Sequence, residues 1–215
     1  MKLDIKASQR WLSMGKTGSG KTEFDKFRLR HIAMKMPVAI VDVKGFWLGE
    51  KPVWATSKEA GSIDKPHLVD KFNPKWRVQL IQPDLYDKEL EKFLLDIVKQ
   101  KNVYVDVDES EGLCTATVVP LGLRRIWKQG RVLNVGANVG SQSYTGIPKI
   151  FKSQAEKRVL FQVGEEDIED AAKLVHVSKE EVASLGKYEY IYYDADTMEH
   201  GVWMPPLDLE KVKAA

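Results

Sequence analysis

One octapeptide constrains this chain more than any other stretch: Gly15-Lys16-Thr17-Gly18-Ser19-Gly20-Lys21-Thr22. It fits G-x-x-x-x-G-K-[ST], the spacing of a phosphate-binding loop. Gly15, Gly18 and Gly20 let the backbone turn tightly and aim bare N–H groups at a polyphosphate. Lys21 brings a cation to the β- and γ-phosphates, and the Thr22 hydroxyl is placed to ligate Mg²⁺. The whole loop, including Lys16, Thr17 and Ser19, is the expected binding site for ATP. Its context agrees. Arg10 to Met14 reads as a short strand feeding the loop. Lys21 to Met36 reads as a helix whose positive end faces the same anion. Phe24, Phe27, Leu29, Ile32 and Met36 are the apolar face expected of it.

Further along, Pro37 to Val43 is an apolar run of strand length, suited to a parallel strand buried on both faces. Residues 46–76 carry Trp47, Trp54 and Trp76 without periodicity and read as irregular, with packing the commoner use of such tryptophans. Val78 to Ile81 predicts a strand, and Asp87 to Gln100 an amphipathic helix. Ala116 to Gln129 predicts another helix despite Pro120 and Gly122, and Arg131 to Gly140 a strand. Arg158 to Val163 reads as a strand, followed by an acidic-fronted helix over Glu165 to Val175. Ser178 caps a short helix, with Glu181 three residues on. Tyr188 to Tyr193 and Gly201 to Met204 predict a hairpin. Strands alternating with helices imply an α/β fold with a mainly parallel central sheet, the hairpin antiparallel at one edge. The expectation is one P-loop domain over residues 1–215, with a loose lead-in over 1–9 and the C-terminal hairpin over 186–207.

A phosphate loop alone does not separate a kinase from a motor, but a second acidic element does more. Tyr104-Val105-Asp106-Val107-Asp108-Glu109 is a strand ending in two acids. One carboxylate there serves the Mg²⁺ shell and the other orients or deprotonates an attacking water. Asp108 is preferred for magnesium because Glu109, the base, adjoins it. Asp106, on the same strand face, competes for that role. Gln142 closes the strand that Arg131 is expected to open, where ligands bind in open α/β sheets. At about 3.3 Å per residue the two ends lie roughly 30 Å apart. Arg131 would therefore reach a neighbour's nucleotide, as an arginine finger in trans.

Taken in series, the phosphate loop, Val41-Asp42-Val43-Lys44-Gly45, Asp108-Glu109, Arg131…Gly140-Ser141-Gln142, Gly146-Ile147-Pro148 and Lys152-Ser153-Gln154-Ala155 resemble the FtsK/HerA superfamily of P-loop ATPases. Without transmembrane or large accessory domains, the chain is similar to the genome-packaging ATPases of tailless, membrane-containing viruses. The resemblance implies a RecA/FtsK-like fold, ATP and Mg²⁺ as ligands, and a homo-oligomeric ring, hexameric or pentameric, that pumps double-stranded DNA by backbone contacts. It implies Lys21 and Thr22 as the nucleotide and magnesium groups, with Asp108 as the magnesium partner. Glu109 would be the base, Gln142 the γ-phosphate sensor and Arg131 the finger. A capsid or membrane vertex would be a further partner.

Composition narrows the alternatives. The net charge is only +2, so nucleic-acid contact needs a local basic patch, with Lys149, Lys152 or the cations of 51–77 as candidates. A lone Cys114 admits no internal disulfide and suits a reducing cytosol. No apolar run reaches membrane-span length, and a cytoplasmic location is expected. A cellular or conjugative translocase is the near alternative. A small-molecule P-loop kinase would need an Arg-rich lid. A GTPase would need an Asn-Lys-x-Asp reader, which Asn73-Pro74-Lys75-Trp76 does not supply. A nucleotide-binding scaffold without catalysis is the remaining option.

Overall fold

Side chains along the central strands alternate between two apolar clusters, which is the period-two signature of a sheet covered on both faces. The computed structural model describes residues 8–45, 47, 67–68, 71–73, 78–82 and 88–203. Residues 1–7 of the expected lead-in, Trp54, Trp76, most of the irregular stretch and the hairpin beyond Trp203 lie outside them. Among the described residues nine strands form one sheet: β1 (Arg10–Met14), β2 (Val38–Asp42), β3 (His67–Leu68), β4 (Val78–Ile81), β5 (Tyr104–Asp108), β6 (Gly136–Ser141), β7 (Lys157–Leu160), β8 (Tyr190–Asp194) and β9 (Glu199–Trp203). Their order is β3-β4-β2-β5-β6-β1-β7-β8-β9. All neighbours pair in parallel as far as β7, and β7-β8-β9 is antiparallel. The expected parallel sheet with an antiparallel C-terminal hairpin is what forms.

Helices α2 (Lys88–Gln100), α3 (Leu121–Leu133), α4 (Lys149–Gln154), α5 (Ile168–Val175) and α6 (Lys179–Ala183) place their apolar residues on one side of the sheet. There they meet Leu12, Met14, Val41, Val105, Val107 and Val139. Trp127 of α3 is fully buried, its ring 4.7 Å from Phe151, and cutting such a residue to alanine costs about 3–5 kcal/mol. Ser178 caps α6 through a reciprocal pair with Glu181, as its spacing predicts. Trp47, as expected, packs: it is 4% exposed.

Helix α1 (Lys21–Ala33) lies on the other side, against Trp11, Val38, Ile40 and Tyr104. Its sheet-facing surface corrects the apolar reading. Phe24, Leu29 and Ile32 are buried, but so are Lys21, Asp25, Lys26 and Arg28, while Phe27 is only half-buried. Arg28 is wholly enclosed, with Nη2 2.8 Å from both Asp25 Oδ1 and Asp106 Oδ1 and Nη1 donating to Tyr104 Oη at 2.9 Å. Ser13 Oγ lies 3.1 Å from Asp25 Oδ1 and 3.0 Å from Asn138 Oδ1. The helix is tied to β1, β5 and β6 by a buried polar network, so its sequence shows little amphipathic contrast.

A second correction concerns Arg131. The helix expected over 116–129 begins only after Pro120, whose ring and missing N–H bar it from a helix interior. It then runs on to Leu133. Asn134 ends it in the left-handed conformation (φ 52°), and Val135 N–H bonds back to Gly130 O. Arg131 therefore lies in the last turn of α3 and opens no strand. The strand before Gln142 has six residues and spans about 20 Å, not 30.

Candidate active site

The phosphate loop emerges from the carboxyl end of β1, between the ends of β6 and β7. Gly15 N–H donates to Ser141 O at 3.1 Å and Lys16 N–H to Gln162 O at 2.7 Å, so both neighbours anchor the loop. Gly20 has φ 107°, and a Cβ there would stand 2.8 Å from the Tyr188 ring; glycine alone satisfies both conditions. α1 starts at Lys21, so the N–H groups of its first turn have no helical partner and face the loop's concavity. A cleft of about 250 Å³ opens there, lined by residues 16–18 and 20–23, by Glu109 and Gln142, and by Tyr188. Ser19 turns inward, its Oγ 2.7 Å from where a Gly15 Cβ would be. Lys21 is 6% exposed, and its ammonium rests on Ser141 O at 3.3 Å.

The sheet's register brings the acids to the same place. Asp42 stands opposite Asp108 on adjacent strands, and β6 ends alongside, delivering Gln142. Asp106 and Asp108 both face α1 and have different surroundings. Asp106 pairs with Arg28. Its carboxyl is pushed up to about 8 by burial and by Asp25, against the pull of Arg28. Asp108 is 3% exposed, and neither of its carboxylate oxygens has a hydrogen-bond partner. Burial pushes it up to about 7, with Lys21 opposing and Asp25, Glu109 and Asp42 adding to the rise. A buried carboxylate with both oxygens free, beside the loop lysine, is suited to a cation's shell. No group of three or more His, Cys, Asp or Glu side chains able to hold a metal occurs among the described residues. A cation held by Asp108 and the Thr22 hydroxyl would complete its shell with phosphate and water, which is how Mg²⁺ is commonly bound.

Glu109 follows directly, in the left-handed conformation (φ 57°, ψ 72°) that non-glycine residues rarely adopt. This strain, on the order of 1–3 kcal/mol, points its side chain along the cleft wall instead of continuing the strand. Gln142 Nε2 donates to Glu109 Oε1, and Lys44 Nζ pairs with Oε2. Glu111 in turn accepts from Gln142 N at 2.5 Å and from the Ser141 hydroxyl, fixing the loop that carries Gln142. Lys21, Thr22, Glu109 and Gln142 thus border one cavity, as the motifs predict.

Arg131 is elsewhere. Its guanidinium pairs with Glu156 and lies 3.5 Å from Asp196. Glu156, despite its burial, is held below the usual carboxylate range by Arg10 and Arg131. Arg10 begins β1, so this cluster marks the amino ends of the strands, opposite the phosphate loop. Of the lysines suggested for DNA, Lys152 lies over the Tyr144 ring at 3.9 Å and is half-buried, whereas Lys149 is exposed. Glu23 and Tyr188 line the cleft, and Lys44 and Glu111 hold Glu109 and the Gln142 loop beside it; sequence reasoning gave none of the four a role. Gly45, turning at φ 76° after Lys44, was the one local hint.

No protein-family model and no curated sequence matches the chain. Solved structures do. The genome packaging NTPase B204 from Sulfolobus turreted icosahedral virus 2, in complex with sulfate, superposes with a TM-score of 0.74 at 16% identity, covering 94% of this chain and 99% of that one. VirB4 of Thermoanaerobacter pseudethanolicus gives 0.66 at 12% identity over 94% and 91%. The pCW3 conjugation coupling protein TcpA gives 0.63 at 17% over 95% and 62%. All are FtsK/HerA-type P-loop ATPases, and B204 is also solved with AMPPCP and ATP-gammaS. At these identities the likeness establishes the fold: the chain has the P-loop ATPase fold of these proteins.

Proposed function

We propose that this chain is a Mg²⁺-dependent ATPase that works as a ring and drives double-stranded DNA, with viral genome packaging as the favoured setting. The observation that carries the ATPase reading is the convergence in one cleft of the phosphate loop, Lys21, Thr22 and a Glu109 oriented by Gln142. A scaffold that only binds nucleotide has no use for a strained, oriented glutamate beside the phosphates. Lys21 is the cation for the β- and γ-phosphates, and Thr22 and Asp108 are the protein groups for Mg²⁺. Bound Mg²⁺ supplies charge neutralisation on the phosphates. Glu109 accepts a proton from the attacking water at a carboxylate oxygen, and Gln142, bonded to that carboxylate, carries the state of the γ-phosphate site to it.

The DNA reading rests on the fold and on neighbours whose names refer to genome packaging and conjugation. The near-complete mutual coverage with B204 favours packaging; a conjugative translocase is the alternative that the other neighbours support. Contacts with DNA would be to phosphates and little dependent on sequence. A trans arginine remains part of the proposal, with Arg131 as first candidate and Arg124 and Arg125 on the exposed side of α3 as the next.

Glu109→Gln tests the chemistry. The variant is expected to bind a non-hydrolysable ATP analogue like the wild type and to lose turnover by about 10²-fold or more. Lys21→Ala is expected to lose binding as well. Undiminished hydrolysis by either variant overturns the reading.

A further inference from the structure

Lys44 belongs to the Val41-Asp42-Val43-Lys44-Gly45 stretch but has no role in the site as described so far, yet its ammonium is paired with the Glu109 carboxylate. Its backbone is fixed by three contacts. Asp42 Oδ2 accepts from Trp47 N–H at 2.9 Å, closing the turn after β2. Gly45 takes φ 76°, and a Cβ there would meet Gln82 Nε2 at 2.9 Å. Gly112, in the short turn after Glu109, lies against Val43 so closely that a Cβ would stand 2.3 Å from Val43 Cγ1. The two segments are therefore packed together, and the register that sets Asp42 opposite Asp108 puts Lys44 beside Glu109.

This pair has little to offer stability. Lys44 is 48% exposed on its side chain, and ion pairs with one exposed partner contribute at most about 1 kcal/mol. Its value lies in geometry. Glu109 is 5% exposed and leaves the strand in a strained backbone conformation. Gln142 holds one carboxylate oxygen and Lys44 the other, so the plane of the carboxylate is fixed while each oxygen keeps a lone pair for water.

We propose that Lys44 is a positioning residue for Glu109: together with Gln142 it clamps the carboxylate in the orientation from which it takes the proton of the attacking water. The inference rests on Glu109 being the base, as proposed above. Lys44 acts through Glu109 and does not hold the nucleotide, a division of labour that steady-state and binding measurements separate.

The test compares the wild type with Lys44→Ala, Lys44→Arg and Glu109→Gln. It measures kcat and KM for ATP, affinity for a non-hydrolysable ATP analogue and for ADP, and the melting temperature. A loosened catalytic group costs about 10-fold to 10²-fold in kcat. Lys44→Ala should show that loss, with analogue affinity within about twofold of wild type and an unchanged melting temperature. Lys44→Arg, which keeps a cation within reach of Oε2, should recover most of the rate. Wild-type kcat in Lys44→Ala overturns the proposal. So does a loss of analogue affinity with ADP affinity kept, because Lys44 would then be a γ-phosphate ligand itself. If the wild type turns over and Glu109→Gln does not, while Lys44→Ala is normal, only this inference falls. A wild type without ATPase activity removes both it and the function it rests on.

Discussion

Replacing Asp108 with asparagine should make the nucleotide-free protein more stable while depriving it of magnesium-dependent nucleotide binding. Asp108 is 3% exposed, has no hydrogen-bond partner on either oxygen, and titrates at about 7 instead of its ordinary 3.8, chiefly because of burial. In the unfolded chain the carboxyl ionises near 4. The folded state therefore binds more protons between about 4 and 7, and stability falls as pH rises through that window, with the whole cost present above it. At about 1.4 kcal/mol per tenfold change in proton affinity, the ceiling is on the order of 4 kcal/mol. Asparagine keeps a buried amide that also lacks partners, so the gain should be on the order of 1–3 kcal/mol at pH 8. In a chain of this size that is roughly 2–12 °C in melting temperature. At pH 4 the two proteins should melt together. With Mg²⁺ and an ATP analogue the order should reverse, since ligand linkage stabilises the wild type more than the variant. Thermal unfolding from pH 4 to pH 8, with and without ligand, reads all of this. A variant that is less stable at pH 8, or a gap that persists at pH 4, would show that Asp108 is a structural residue and refute the reasoning.

Arg28→Met should cost about 3–5 kcal/mol, because it strands Asp25 and Asp106 as buried carboxylates without their cation. The penalty in a denaturant titration should shrink at low pH, where both acids take protons; a loss below about 1 kcal/mol at pH 8 would mean that the network is not what ties α1 to the sheet. Arg131→Ala should bind the ATP analogue normally yet turn over slowly if it serves a neighbouring site, by as much as about 10³-fold. Mixing it with Glu109→Gln should restore part of the rate through interfaces that pair an intact Glu109 with an intact Arg131. Mixtures that co-assemble and stay inactive move the role to Arg124 or Arg125.

How much of this was legible in the sequence follows from how local each determinant is. The phosphate loop, the Asp108-Glu109 strand and Gln142 are written in adjacent residues, and the alternating strands carry their own period. Helix α1 was only half legible because its buried face is charged: Asp25 and Arg28 are buried by mutual pairing, which hydrophobic periodicity cannot register. The α3–β6 boundary was missed because Val132, Leu133 and Val135 continue an apolar run across a helix end. The signals that decide it are Pro120 before the helix and the left-handed Asn134 after it. Asp106 and Asp108 share a strand face, so position favours Asp108 only through its neighbour Glu109, and a tertiary contact, Arg28 on Asp106, separates the two. Lys44 on Glu109 and Tyr188 against Gly20 join segments distant in sequence; the Gly45 turn hints at the first, and no local pattern announces the second.

The central claim, an ATPase that drives duplex DNA, is tested most directly by the rate of Mg²⁺-dependent ATP hydrolysis with and without double-stranded DNA of unrelated sequences. Any long duplex should stimulate hydrolysis several-fold, weakening as salt rises because the contacts are to phosphates, with no stimulation in Glu109→Gln. Robust hydrolysis that is indifferent to DNA, or phosphate appearing on a small acceptor instead of in water, would contradict it.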